Sequence, residues 1–411
     1  MRRLLSKQLR DVRSLIEAHG RPEREVYFDL ENSGIVFEEA LNELIKAYKE
    51  HGYGHPSITH KLGWTAFEII LRAEANLIAL ANAGDGEIVF THSGTEANNL
   101  AVMGLAKVSR DRRKIIVSST EHLSVKFPAE RLQEQGFNLV ETPVDKDGFI
   151  SLDKLSEQVD RETLMVSVAA VNHEIGTIQD LRAITEIVKD RDPDVVVHTD
   201  ACDALGRIPL NLEKLGVDMV SFSGHKIYAP KGVGALYVRD GVKLDPVIYG
   251  QLSSQRLWPG VENVPSIAGF SKALELFRKN FDEYRAKMSR LRDMLINGVL
   301  EKIEGSVLNG PRGDRRSVDN VNISFLRCEG EALTVELSLR GVYVSSGSAC
   351  TSRALEPSHV LLEIGRPYEV AHGSVLMKVS PMHDEEDVEY ALRQLSGAVK
   401  RIRSISPKEV M

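Results

Sequence analysis

Short, almost unbroken apolar runs recur along the chain between stretches whose apolar residues return at helical spacing. Val26-Tyr27-Phe28, Ile88-Val89-Phe90, Ile115-Ile116-Val117, Leu164-Met165-Val166, Val195-Val196-Val197 and Val217-Asp218-Met219-Val220 are such runs. Runs without a polar alternate are what strands covered on both faces look like. Residues 37–48 and 64–82 carry the helical pattern between them, and a further helix opens in the turn around Gly94. This alternation, continued to about residue 240, predicts an α/β fold with a mostly parallel sheet and helices on both faces. Residues 264–304 read as a connecting helix into a second domain. Its expected strands are 321–325, 342–344 and 375–379, and its last helix is 384–403. Leu5, Leu9, Val12 and Ile16 predict an amphipathic helix over 4–18. The expected division is a helical extension (1–25), a large α/β domain (26–265) and a smaller α+β domain (266–411).

Composition narrows the classes. With 411 residues the chain can bury two or three cores. Its 42% apolar and 27% charged residues are those of an ordinary water-soluble protein. A net charge of −7 argues against a nucleic-acid groove as the main site. Three cysteines make no disulfide framework, and their spacing gives no zinc motif. That usage fits a reducing cytoplasm. No run approaches the ~20 apolar residues of a membrane span, and the basic start Met1-Arg2-Arg3 lacks the apolar core of a signal peptide.

The chemistry lies where the runs end. The run at 195–197 leads into His198-Thr199-Asp200, and the run at 217–220 into Ser221-Phe222-Ser223-Gly224-His225-Lys226. Ligands of α/β proteins sit outside the carboxyl ends of the strands. An Asp able to pair with a pyridinium nitrogen and a Lys able to form a Schiff base are what a protein offers pyridoxal phosphate. A helix N-cap at Asp200 and a surface lysine at 226 is the plainer alternative. The turn Thr91-His92-Ser93-Gly94-Thr95 opens a helix, whose free N–H groups suit a phosphate. A second reactive stretch, Ser345-Ser346-Gly347-Ser348-Ala349-Cys350-Thr351-Ser352-Arg353, is a loop of small residues around one soft nucleophile. Arg353 is placed to favour the Cys350 thiolate. Cys202 and Cys328 lie in or beside apolar runs and are expected to be buried and inert.

Ser-Gly-His-Lys ending at Lys226, the Cys350 loop, and Leu355-Glu356-Pro357-Ser358-His359-Val360-Leu361 together resemble the cysteine desulfurases of the NifS/IscS type, within the class V aminotransferases. The likeness runs from about Val26 to the last helix. It implies the fold-type I, aspartate-aminotransferase-like architecture, a homodimer, and pyridoxal 5'-phosphate as cofactor. It also implies roles: Lys226 holds the cofactor covalently, Asp200 pairs with the ring nitrogen, and His122 stacks on the ring and shuttles protons. Thr95, Ser223 and His225 hold the phosphate with the backbone at Gly94. Cys350 takes the sulfur of L-cysteine as a persulfide, leaving alanine, and passes it to an acceptor protein for iron–sulfur assembly or thiolation. Two other readings stay open: a lyase or aminotransferase acting on a related amino acid, and a non-enzymatic sulfur or cluster carrier using Cys350.

Several positions depart from the family pattern. His173 stands where an Asn normally meets the cofactor, and Asp203 where a Gln does. Trp258-Pro259-Gly260-Val261 replaces a phosphate-contacting Arg-Ser-Gly-Thr, and Glu31-Asn32-Ser33-Gly34 replaces an Ala-Thr-Thr turn. Leu376 stands where an Arg would clamp the substrate carboxylate. Leu cannot make that bidentate contact. Lys378, two residues on and on the same side of a strand, or Arg256, is the expected replacement.

Overall fold

The computed structural model describes residues 14, 20, 22–250, 254–346 and 357–405. The helix expected over 4–18 and the reactive Cys350 with Arg353 lie outside the described residues. The described strands, in chain order, begin with β1 (Val26–Tyr27), β2 (Gly86–Thr91), β3 (Lys114–Ser118), β4 (Asn138–Thr142), β5 (Thr163–Ser167), β6 (Val196–Asp200), β7 (Met219–Ser223) and β8 (Gly234–Arg239). They continue with β9 (Ser306–Leu308), β10 (Asn320–Phe325), β11 (Val342–Tyr343), β12 (Ser345–Ser346) and β13 (Ser374–Lys378).

The chain divides into two compact units, one of residues 33–286 with 310–318, the other of residues 1–32, 287–309 and 319–411. The expected boundaries lay at 25/26 and 265/266. The first strand does not open the large domain, because Val26 and Tyr27 pair in parallel with Val342 and Tyr343 of the smaller unit. Nor does the chain pause at residue 265, since one helix runs from Val264 to Lys302, kinked at Asn280. Residues 310–318 join the larger unit through Ser317 N–H to the Gly176 carbonyl (2.7 Å) and Ile178 N–H to the Arg315 carbonyl (3.0 Å).

The larger unit holds a seven-stranded sheet in the order β2-β8-β7-β6-β5-β3-β4. It is parallel from β7 through β4, and β8 runs antiparallel to both β7 and β2. Every residue of β3, β5 and β7 is buried. Successive residues of a strand point to opposite faces, so both faces of the sheet are covered, as the unbroken apolar runs require. Helix Gly94–Val108 supplies much of that cover. Its Ala97, Leu100, Ala101 and Leu105 join Val89, Val117, Met219 and Leu236 in one core. β6 and β7 are neighbours, with Asp200 opposite Ser221. The two strands expected to carry the Asp and the Lys therefore end side by side.

The smaller unit is built on a four-stranded antiparallel sheet, β12-β13-β10-β9, and the short parallel pair β1-β11. Helix Glu385–Ile405 belongs to it. Arg24 meets Asp384, Glu386 and Asp387 at the start of that helix, at 3.1, 2.8 and 2.7 Å.

Candidate active site

Lys226 lies in a single 3-10 turn, Gly224–Ile227, directly after β7. Tyr228 then takes a left-handed conformation, with φ of 61°. A bulky residue there is strained, and such strain persists only where surrounding contacts hold it. The Tyr228 ring is buried and stacks on Phe277, and the Arg207 guanidinium lies 5.0 Å from its centroid. The turn is thus fixed, and it carries the Lys226 side chain into the protein, 7% exposed. A surface lysine at 226 is excluded.

Asp203 receives the lysine. Its two oxygens lie 3.1 and 3.3 Å from Lys226 Nζ, and Asp203 is 6% exposed. Asp200 has other partners. Its Oδ1 accepts the Cys202 backbone N–H at 2.9 Å and its Oδ2 accepts Asn98 Nδ2 at 2.6 Å. Asn98 spends its second amide hydrogen on Ser124 Oγ (2.8 Å), which lies 2.6 Å from His122 Nδ1. A buried chain of polar groups therefore joins His122 to Asp200. His122 also caps helix Leu123–Gln133, and its ring meets that of His173 edge-on, 4.9 Å between centroids.

The turn before helix Gly94–Val108 comes up against the same strand ends. Ser93 is its N-cap, accepting the Glu96 N–H. A Cβ on Gly94 would stand 2.5 Å from Cys202 Sγ and 3.1 Å from Ser223 Cβ. Only glycine lets the helix start this close to β6 and β7. Thr95 is exposed on the first turn. His225 is bonded through Nδ1 by the Gly34 N–H at 3.4 Å, and Gly34 has no room for a side chain, since a Cβ would fall on the His225 carbonyl.

Lys226, Asp203, Asp200, His122, His173, Gly94, Ser223 and His225 thus belong to one unit. Arg256 is exposed and donates to the Leu244 carbonyl at 3.2 Å. Lys378 is in the smaller unit, buried, with Nζ 2.5 Å from Glu31 Oε2. Lys378, expected alongside Arg256 as a candidate for the substrate carboxylate, thus has a carboxylate partner in Glu31. Cys202 and Cys328 are buried, as expected, and burial pushes both thiols up. Asn98 and Ser124 were not singled out from the sequence. The available signal was a polar residue, Asn98, with the small or apolar Gly94, Ala101, Val102 and Leu105 at helical spacing from it.

The donor set fits pyridoxal phosphate: a buried lysine, a carboxylate that accepts two N–H donors at the neighbouring strand end, and a helix start whose glycine lets it pack close against those strand ends. Fold and site define a class of protein, and the chain belongs to the class-V aminotransferase family, whose model matches residues 26–390. Within that family it is similar to cysteine desulfurases. It is 43% identical to "Cysteine desulfurase IscS 1" of Archaeoglobus fulgidus over 93% of this chain and 98% of the relative. It is 40% identical to "Cysteine desulfurase IscS" of Methanosarcina thermophila over 93% and 94%. Among solved structures, a NifS-like protein superposes with a TM-score of 0.85 at 32% identity, covering 92% of this chain and 100% of the other. "SspA in complex with cysteine" superposes at 0.72 and 29% identity, covering 86% and 99%. The fold is therefore the fold-type I architecture of the NifS-like proteins.

Proposed function

We propose that this protein is a pyridoxal-phosphate-dependent cysteine desulfurase that converts L-cysteine to L-alanine and carries the released sulfur on Cys350. The observation that supports this most is a buried Lys226 in the turn directly after one strand and Asp200 at the end of the adjacent parallel strand, in a chain that also carries the Ser-Ser-Gly-Ser-Ala-Cys350 motif.

When bound, pyridoxal phosphate supplies an electron sink for bond breaking in the amino-acid substrate. Lys226 would hold the group covalently and, once displaced, move a proton. Asp200 would face the ring nitrogen, held in place by Asn98 and the Cys202 N–H. His122, oriented through Ser124, would lie against the ring. Ser223, His225, Thr95 and the amides at Gly94 would take the phosphate, and His173 would replace the usual amide near the phenolic oxygen. Arg256 is the cation we assign to the substrate carboxylate, because its observed partner is an uncharged carbonyl, whereas Lys378 already carries Glu31. The Cys350 thiolate would attack the substrate sulfur. A sulfur–sulfur bond forms as the bond from sulfur to the β-carbon breaks, and the electron pair left on that carbon takes a proton to complete alanine. The persulfide would then pass its outer sulfur to an acceptor protein of iron–sulfur assembly or thiolation.

A homodimer completes this reading. Leu41, Ile45 and Tyr48 form one helical stripe, Trp64, Phe67 and Leu71 another, and all are 39–61% exposed. Apolar stripes at helical spacing that face solvent mark a protein interface, and the occupant assigned here is a second copy of the chain.

The test is the purified, cofactor-loaded protein given L-cysteine. Alanine and, with a reductant, sulfide are expected in equal amounts, and Cys350→Ala is expected to lose both by about 100-fold or more while keeping the bound cofactor's absorbance. Turnover that survives Cys350→Ala would favour a lyase or aminotransferase. Bound cofactor without any cysteine-dependent product would favour a carrier.

A further inference from the structure

The lysine at this site faces a carboxylate, and that carboxylate is not the one assigned to the ring nitrogen. Asp203 straddles Lys226 Nζ with both oxygens, at 3.1 and 3.3 Å, and both side chains are more than nine-tenths buried. Asp200 is committed elsewhere, to Asn98 Nδ2 and the Cys202 N–H. The two carboxylates are thus divided between two tasks. Among the described residues, Cys202, whose buried thiol stays protonated, lies close enough to the amine to feel its charge, His225 is on the same turn, bonded by the Gly34 N–H, and Glu121, near Asp200, is fully buried and pushed towards its neutral form by burial. Asp203 is the group among these in direct ion-pair contact with the amine.

We propose that Asp203 is a positioning residue that holds Lys226 as an ammonium and thereby sets the pH at which the lysine reacts. This rests on Lys226 being the cofactor lysine. Nitrogen attacks an aldehyde carbon only through a free lone pair. The ammonium must first pass one proton to Asp203 or solvent, and its two remaining hydrogens leave with the carbonyl oxygen as water while the carbon–nitrogen double bond forms. A buried carboxylate about 3 Å away opposes the first step, since a charge pair out of water is stabilised far more than on the surface. An uncharged amide at position 203, the residue type the family resemblance implies, would not oppose it. The same contact biases Lys226, whenever it is released from a covalent bond, towards an acid that delivers a proton and away from a base that removes one.

The experiment is reloading of the full-length, cofactor-stripped chain with pyridoxal phosphate between pH 6 and 10. Covalent uptake is read by borohydride reduction and intact mass, so no turnover is involved. Wild type and Asp203→Glu are expected to load slowly at pH 7 and to accelerate to a plateau near the alkaline end. Asp203→Asn is expected to reach its plateau at least one pH unit lower and to load about tenfold faster at pH 7. Asp203→Gln, a second neutral variant, is expected to match it and covers a failure of the shorter amide to fold. Coincident pH midpoints in wild type and the amide variants would overturn the proposal. Lys226→Ala separates the two levels: its covalent loading at another residue would sink the cofactor-lysine reading itself, whereas Lys226-dependent loading with unchanged midpoints would sink only the role given to Asp203.

Discussion

His198 shows what one residue buried in this sheet does to the behaviour of the protein. Its ring lies between Ser167 Oγ (2.8 Å) and Ser221 Oγ (3.0 Å), and burial pushes it down to about 4. The native ring is therefore neutral at pH values where the unfolded ring, titrating near 6.5, already binds a proton. The unfolded chain binds more protons between those two values, so stability from this group is complete above about pH 6.5 and is lost as pH falls towards 4. The loss amounts to about 3 kcal/mol. Urea unfolding from pH 7 to 4 is expected to show this acid decline in wild type and a shallower one in His198→Gln; parallel declines would remove the assignment. At the same scale, Lys226, Asp200 and the glycine turn at 94 were legible, because each ends an apolar run with a reactive or turn-forming residue. Asn98 and Ser124 were not. Their importance lies in which atoms they face, and residues 98 and 124 are brought to Asp200 only by folding.

At the scale of elements, β13 repeats the lesson. Its alternation places Leu376 and Lys378 on one side, as expected of a strand. The strand forms, pairing with β10 and β12. Its charge is met by Glu31 from the turn after β1. Glu31 was noted within a departure from the family pattern and Lys378 as a replacement for the missing Arg, but nothing in the spacing joins them. Removing one partner leaves a buried charge uncompensated, which costs about 3–5 kcal/mol, whereas replacing both with apolar residues is often close to neutral. Lys378→Met is expected to lower the unfolding free energy by that amount, and Glu31→Leu with Lys378→Met to recover most of it. A double variant no more stable than the single one would show that the pair is not coupled.

For the whole molecule, the stripes of Leu41, Ile45 and Tyr48, and of Trp64, Phe67 and Leu71, decide how the chain behaves in water. Light scattering of the purified protein is expected to give twice the chain mass of 45.6 kDa. Trp64→Glu, at a position 61% exposed and so able to take a charge without disturbing the core, is expected to shift it to the monomer. A wild-type monomer at micromolar concentration would refute the assigned partner. The division into units was the least legible feature at this scale. Residues 310–318 return to the larger unit and residues 1–32 belong to the smaller one, through pairings between segments that are remote along the chain.

What the sequence determined alone is whatever depends on neighbours along the chain. Apolar runs of three or four residues need burial on two faces, so they specified strands, and their alternation with helical spacing specified a mostly parallel α/β sheet. A lysine or aspartate at the end of such a run is presented at the sheet edge whatever the rest of the molecule does. Tertiary structure alone decided partnership: that Asp203, not Asp200, meets Lys226 Nζ, that Asn98 fixes Asp200, and that Lys378 answers to Glu31. Hydrogen bonds and ion pairs act over about 3 Å, and the residues that come that close are chosen by the path of the backbone through space.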